Sequence, residues 1–409
     1  MELRTVLSAA AMAAVTALAA PAWAQSVAIA IGSEPTTLDP QLRDDGGERA
    51  INDNIFETLM VRDPDGALMP GLAAEAPTQV DETTWEVSLR EGVSFHNGEP
   101  FNAASVVHSI QRVIDPEFNS EQSSFFATIA SAEAVDDTTV RITTDGPDPI
   151  LPARLYWMKM VPVEASQADG FAENPVGTGP YAFVEWDRGN RITLTANDDY
   201  WGEAPQIQDV TFRFVSEFGT RLSSLLTGEV DLITNLLPEF VDQVPQALSV
   251  SGLENPILIL DADDGPTADV RVRRALNHAI DKEALAEALY AGYAEVSQGQ
   301  IMAPSFFGFN PDITPYEYDP DRARDLIAEA GAEGAEIELV GTAGRWLKDR
   351  EVVEVVAEYW SEIGVEPNVR IFEFGEYLNR LFDRETRADA IFVVSSNELL
   401  DADRPLSAY

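Results

Sequence analysis

The sequence predicts an α/β protein with more than one hydrophobic core, and three observations carry that expectation. Leu222, Leu225 and Leu226 fall at helical spacing, Gly228 stands where a helix-ending glycine belongs, and Val230 to Ile233 resumes an extended apolar run. Two further apolar runs, Glu336 to Val340 and Val365 to Ile371, read as strands on either side of a helix from Lys348 to Ile363. In a chain of 409 residues with 45% hydrophobic content, two or three core-bearing units are expected.

The elements follow in order. Arg4 precedes an Ala/Leu/Val-rich run from Val6 to Ala20, and Ala22-Trp23-Ala24 sets small residues at alternate positions before Gln25, the pattern of a cleaved export signal at residues 1–24. No later apolar run approaches the ~20 residues of a membrane span. Val27 to Ile31 reads as a first strand, followed by a polar loop from Gly32 to Pro40; Asp63-Pro64-Asp65-Gly66 is a turn. Trp85, Val87 and Leu89 alternate with Glu86, Ser88 and Arg90 as in a half-buried strand. Asn97-Gly98 then turns the chain, and from Ala103 the period becomes helical, with Val106, Val107, Ile110 and Val113 on one side. Residues 137–144 alternate like a strand, and Asp145 to Pro152 reads as a break.

Gly177 and Gly179 allow a backbone path closed to residues with a β-carbon. Tyr181 to Trp186 and Arg191 to Ala196 flank Asp187-Arg188-Gly189-Asn190 as a hairpin. After a Pro-containing connection around 245–266, Val272, Ala275, Leu276 and Ala279 form one helical face. Asp281 caps a second helix carrying Leu285, Ala288 and Leu289, ended by Gly292. Asp319 caps a third, with Pro320 at its first position, Ala323, Leu326, Ile327 and Ala330 buried, and Gly331 as its stop. Ala390 to Val394 is a last strand.

Composition excludes several function classes. A formal charge of −43, from 70 acidic against 27 basic residues, repels nucleic acid and anionic membranes. With no cysteine there are no disulfides, thiol nucleophiles or cysteine-held metals. His96, His108 and His278 lie in separate elements and read as structural or surface residues, so neither a metal nor a cofactor is expected. No nucleophile elbow, phosphate loop or zinc-protease helix is present, which leaves a hydrolase without a motif in its favour.

Residues 83–113 join strand, turn and helix in an order that resembles the signature of extracellular solute-binding proteins of family 5, the peptide/nickel class that feeds ABC transporters. Trp85, Leu89, Arg90, Gly92, Val93, Phe95, His96, Gly98, Pro100, Phe101, Ala103, Val106, Ser109 and Arg112 fall on that pattern. The block reads as scaffold that identifies the family. Glu34 to Pro40, residues 54–71, Asn197 with Tyr200, Trp201 and Gly202, residues 221–231, 269–294 and 318–331 are similar to further family blocks, so the resemblance covers nearly the whole chain after the export signal.

The resemblance implies a type II periplasmic-binding-protein fold, two lobes with a hinge and an inserted subdomain. Its expected divisions are 25–64 and 166–258 for the first lobe and hinge, 65–165 for the subdomain and 259–409 for the second lobe. Family members usually continue beyond this length, and Tyr409 falls in mid-element, so the chain reads as incomplete at its C-terminus.

The implied role is that of a periplasmic protein, working as a monomer, that captures a peptide or peptide-like solute and delivers it to ABC permease subunits. A non-peptide solute (an opine, sugar or metal chelate) and a sensor role are the alternatives. Three lining regions follow from the resemblance. The first is the loop with Glu34, Thr36 and Leu38. The second holds Arg345, suited to grip a carboxylate, and Trp346, suited to pack on the solute. The third holds Ser396, Asn397, Glu398 and Asp401; in peptide-binding members an aspartate there receives the α-amino group, and here Leu399 stands near its place. Asn397 or Glu398 is then the candidate replacement.

Overall fold

The computed structural model describes residues 25–43, 46–382 and 387–408, so the export-signal reading lies outside the described residues. The first lobe is built on a five-stranded sheet in the order Leu232–Ile233, Ser26–Ile31, Asp209–Phe214, Arg191–Ala196, Tyr181–Asp187. The opening strand pairs parallel with both of its neighbours, and the helix Phe218–Thr227 makes the crossover that parallel pairing requires. Leu38, Ile51, Ile55, Phe56, Ile192 and Phe212 meet in this lobe's core.

The second lobe has a four-stranded sheet in the order Glu254–Leu260, Ala390–Ser396, Glu336–Thr342, Glu366–Phe372. The helices Val270–His278, Pro320–Ala330 and Asp349–Glu362 supply its apolar cover, and Trp360 at its centre donates its indole N–H to the Leu276 carbonyl at 3.1 Å. The inserted subdomain has its own four-stranded antiparallel sheet, in the order Thr78–Asp81, Thr84–Ser88, Thr139–Thr144, Ile129–Asp136, covered by the helix Ala103–Ile114. That helix starts where the sequence places it because Asn102 and Ser105 cap it reciprocally. A β-carbon at Gly177 or Gly179 would be driven into the carbonyls of Ile55 and Asn54, which is why this strand approach needs glycine.

Four departures from the sequence expectation have physical reasons. The connection at 245–266 contains the strand Glu254–Leu260 despite Pro256; it lies at the sheet's edge, where a missing N–H is tolerated. The break at Asp145 to Pro152 gives way to the helix Leu151–Trp157, with Pro152 in its first turn, where proline is at home. Leu226 is half exposed, and Arg221 and Ser224 join Leu222 on the buried face instead. Ala288 is exposed, because the helix Lys282–Tyr290 only rests on the second core through Leu285 and Leu289.

Candidate functional site: the cleft between the lobes

The last strand of the second lobe ends at Ser396, and the chain then crosses to the opposite side. Asn397 makes the turn: its N–H donates to the Leu253 carbonyl at 3.2 Å and its side-chain amide to the Asp401 carbonyl at 2.9 Å. Leu400 completes the turn in the left-handed region at φ 52°. This geometry sends Leu399 into the core of the inserted subdomain, where it is 1% exposed. Arg62 donates to the Leu399 carbonyl and also to that of Gly66, tying the second lobe to the subdomain's small hairpin. Burial lowers the Arg62 pKa from its usual value. Farther along, Asp403 accepts from Arg154 at 3.2 Å, an arginine already fixed by buried Asp148 at 2.8 Å, and Arg404 lies 4.5 Å over the Phe125 ring.

Glu398 makes a further cross-cleft contact, an ion pair with Arg49 at 3.7 Å. Arg49 and Asn52 are three apart on the helix Gly46–Ile55 and so share a face. Both line a cavity of about 60 Å³, together with Glu48, Asp53, Trp157 and Lys159. Arg49 lies 4.6 Å over the Trp157 ring, and Lys159 pairs with Asp53 at 2.7 Å. Burial, with the Asp53 charge, raises the pKa of the neighbouring Tyr156 phenol. Asn52 Oδ1, Trp157 Nε1 and Glu398 Oε2 are buried without a hydrogen-bond partner in the protein. Buried polar atoms left so cost about 1–3 kcal/mol each unless water or a solute serves them; Asn52 and Trp157 line the cavity, and Glu398 reaches its wall through Arg49.

The residues expected from sequence are spread over this region unevenly. Glu34 braces the hairpin, its carboxylate accepting from Trp186 Nε1 at 2.9 Å and Gly189 N at 3.0 Å. Thr36 donates through both its N–H and its hydroxyl to Glu48, at 2.8 and 2.7 Å, and so reaches the cavity wall indirectly. Leu38 is 0% exposed in the first lobe's core, and its side chain offers no surface to a solute. Trp346 packs edge-on against Phe374, Tyr377 and Phe392 in the second lobe, with exposed Arg345 beside it, 5.3 Å from the Phe374 ring centre. Ser396 pairs with Glu254 in the sheet, Asn397 shapes the turn, and Asp401 accepts from the Asp403 N–H at 2.9 Å. Glu398 alone of these reaches the cavity wall by a direct charge contact.

Arg49, Asn52 and Trp157 were not expected. Their one sequence signal is the Arg-x-x-Asn spacing on a polar helix, which means little until the fold brings Trp157 opposite.

Two α/β lobes and a subdomain thus meet at a polar cleft. The model of the bacterial extracellular solute-binding proteins, family 5 Middle, matches residues 67–409. The chain belongs to this family. The glutathione-binding protein GsiB of Pectobacterium atrosepticum is 28% identical over 370 residues, spanning 88% of this chain and 72% of the relative. The periplasmic binding protein DppA from Helicobacter pylori, solved with the peptide STSA, superposes with a TM-score of 0.77 at 26% identity, covering 93% of this chain and 79% of that one. NikA from Brucella suis, solved with Fe(III)-EDTA, gives 0.80 at 26% identity, covering 90% and 79%. This family 5 protein is the solute-binding component of an ABC importer, and it has the type II fold with an inserted subdomain.

Proposed function

We propose that this solute-binding protein captures a peptide or peptide-like solute in the cleft, in the periplasm, and presents it to the permease subunits of its importer. The observation that carries the reading is Glu398: a carboxylate 5% exposed at the contact between the lobes, one oxygen loosely paired with Arg49 and the other without a partner. A buried anion so placed suits the amine of a peptide-like solute. The peptide and glutathione ligands named for DppA and GsiB support the same class. Among the described residues no helix is long and apolar enough to cross a membrane, consistent with a partner that supplies the channel.

A second reading has its own observation. Leu399 puts an apolar, buried side chain near the place of the family's amine-binding aspartate, which favours a non-peptide solute such as the chelate bound by NikA.

A thermal-shift screen against free and N-blocked peptides, opines, oligosaccharides and nickel chelates decides between them. A ligand at a hundred times its dissociation constant stabilises by about 2.7 kcal/mol. Free peptides are expected to shift the wild type and to lose the shift in Glu398→Gln; shifts confined to blocked peptides, sugars or chelates would refute the peptide reading. Solute spectra unchanged after prolonged incubation are expected, and turnover would point to a hydrolase instead.

A further inference from the structure

We propose that the start of the helix Phe218–Thr227, together with Arg221, is a subsite for a carboxylate of the solute; this rests on the reading of the cleft as the site of a peptide-like solute. That reading gives the solute's amine to Glu398 and leaves its carboxylate without a partner. Arg221 is a cation buried to 6% exposure. One terminal nitrogen donates to the carbonyls of Val215 and Ser216, each at 2.8 Å, and its Nε is buried without a partner. Among the described residues no carboxylate forms an ion pair with it. Glu217 is the carboxylate whose charge reaches it, and Glu217 is exposed, so water screens that charge. Buried charges are normally paired, and the edge of a guanidinium that carries Nε offers two parallel N–H groups to a carboxylate.

The helix is a second and independent observation. It has ten residues, its N-cap Glu217 makes no side-chain hydrogen bond to it, and the Phe218 and Gly219 N–H groups find no acceptor among the described residues. Free donors at the positive end of a helix dipole favour an anion. Side chains on a helix lean toward its N-terminus, and the bonds to Val215 and Ser216 hold Arg221 that way. Guanidinium and free N–H groups therefore stand together. A β-carbon built on Gly219 meets nothing within 4 Å, so the space on that side is open.

Its place in the fold agrees. Val215 follows the strand Asp209–Phe214, and a β-carbon on Gly32, which follows the strand Ser26–Ile31, would lie 3.4 Å from Arg221. The guanidinium thus sits at the carboxyl ends of two parallel strands, where open α/β sheets take their ligands. Phe218 packs 5.1 Å from the ring of Phe240, and the adjacent Glu239 holds Lys348 of the second lobe at 2.8 Å. The helix start is therefore at the edge where the lobes meet. Nearby carboxylates are already engaged, Glu239 by Lys348 and Glu34 by Trp186 and Gly189.

Tri-alanine and tri-alaninamide test this, because they differ only in the C-terminal carboxylate. Titration calorimetry on the full chain is expected to show tri-alanine binding at least about tenfold tighter. In Arg221→Gln the margin should fall below about twofold, with Arg221→Lys keeping part of it. A purely structural Arg221 would weaken both peptides alike and leave the margin, which overturns the proposal. Equal binding of the two by the wild type, or a margin removed by Arg345→Gln instead, overturns it as well. Hydrogen exchange on the wild type decides the matter even where Arg221→Gln does not fold: residues 217–221 should slow with tri-alanine and not with its amide, and unchanged exchange counts against the subsite. Slowing by inorganic phosphate, with no margin between the peptides, makes this an adventitious anion site only and refutes the proposal. Binding of neither peptide, with a thermal shift by a neutral sugar, overturns the subsite and leaves the solute-binding reading standing; no shift by any solute removes both.

Discussion

Four backbone N–H groups converge on the Asp349 carboxylate: those of Gly344 at 3.0 Å, Arg345 at 2.9 Å, Trp346 at 3.0 Å and Arg350 at 2.8 Å. The side chain is 3% exposed; it shapes the loop before the helix Asp349–Glu362 and accepts one of the otherwise unpaired N–H groups of that helix's first turn. Nearby, the Tyr290 phenol is raised to about 12 by its own burial first and then by the Asp349 and Glu351 charges. Removing the carboxylate in Asp349→Ala takes the shared charged acceptor from four part-buried N–H groups, at about 1–3 kcal/mol for each that solvent does not reach. The variant is expected to lose at least about 2 kcal/mol in urea unfolding, with Asp349→Asn intermediate; a loss under about 0.5 kcal/mol for the alanine would show that the loop finds other acceptors. Arg345 and Trp346 were expected as solute contacts because the family resemblance makes their loop a lining region. What it could not supply was the aromatic cluster of Phe374, Tyr377 and Phe392, drawn from two later elements, that holds Trp346 within the second lobe.

At the scale of elements, the family signature turns out to fasten one unit to another. His96, in the turn after the strand Thr84–Ser88, accepts the Gly177 N–H at its Nδ1 at 3.3 Å and faces the Gly179 carbonyl with its Nε2 at 3.0 Å. Only a neutral imidazole protonated at Nε2 makes both bonds. Burial holds its pKa below the usual 6.5, against the smaller opposing effect of the Gly179 carbonyl. Between that depressed value and 6.5 the unfolded chain binds more protons than the folded one. The clamp's contribution is therefore complete above 6.5 and is lost as pH falls toward the folded-state value. Glu57, raised by burial above 4.5, has the opposite sign, since the folded state there holds the extra proton. Comparing wild type with His96→Gln cancels the Glu57 effect. The wild type should lose more of its urea midpoint between pH 7.5 and 5.0 than the variant does, and parallel losses would count against the clamp. Periodicity made the strand and helix on either side of His96 legible. The strand Glu254–Leu260 was hidden because its proline reads as a break unless its edge position is known.

For the molecule as a whole, the net charge of −43 means that like charges repel across the surface. Raising ionic strength from 0.01 to 0.15 M shortens the screening length from about 30 to about 8 Å, so the thermal midpoint should rise with salt; a fall would mean that the exposed ion pairs outweigh the repulsion. The two-lobed α/β class was legible because each helix stop and strand run is local. The joint between the lobes was not, since Arg62 and Leu399 are 337 residues apart and nothing local in either announces the other. Yet that joint governs the cycle of a binding protein. Leu399 follows the last strand of the second lobe's sheet and buries its side chain in the subdomain's core, so its contribution is expected to bear on closure more than on the folding of either unit. Truncating a buried leucine costs about 2–5 kcal/mol, and in Leu399→Ala that loss falls on the closed form. Small-angle scattering of the unliganded protein should show a larger radius of gyration for Leu399→Ala than for wild type. Solute affinity should fall about tenfold or more, because the competent form is then a minority that the solute must first repopulate. Val353→Ala, a truncation wholly within the second core, should lower the unfolding midpoint and leave the radius unchanged. If both variants merely unfold more readily and neither expands, the lobes are held together elsewhere, and the Arg154–Asp403 pair and the Arg404–Phe125 contact become the next places to look.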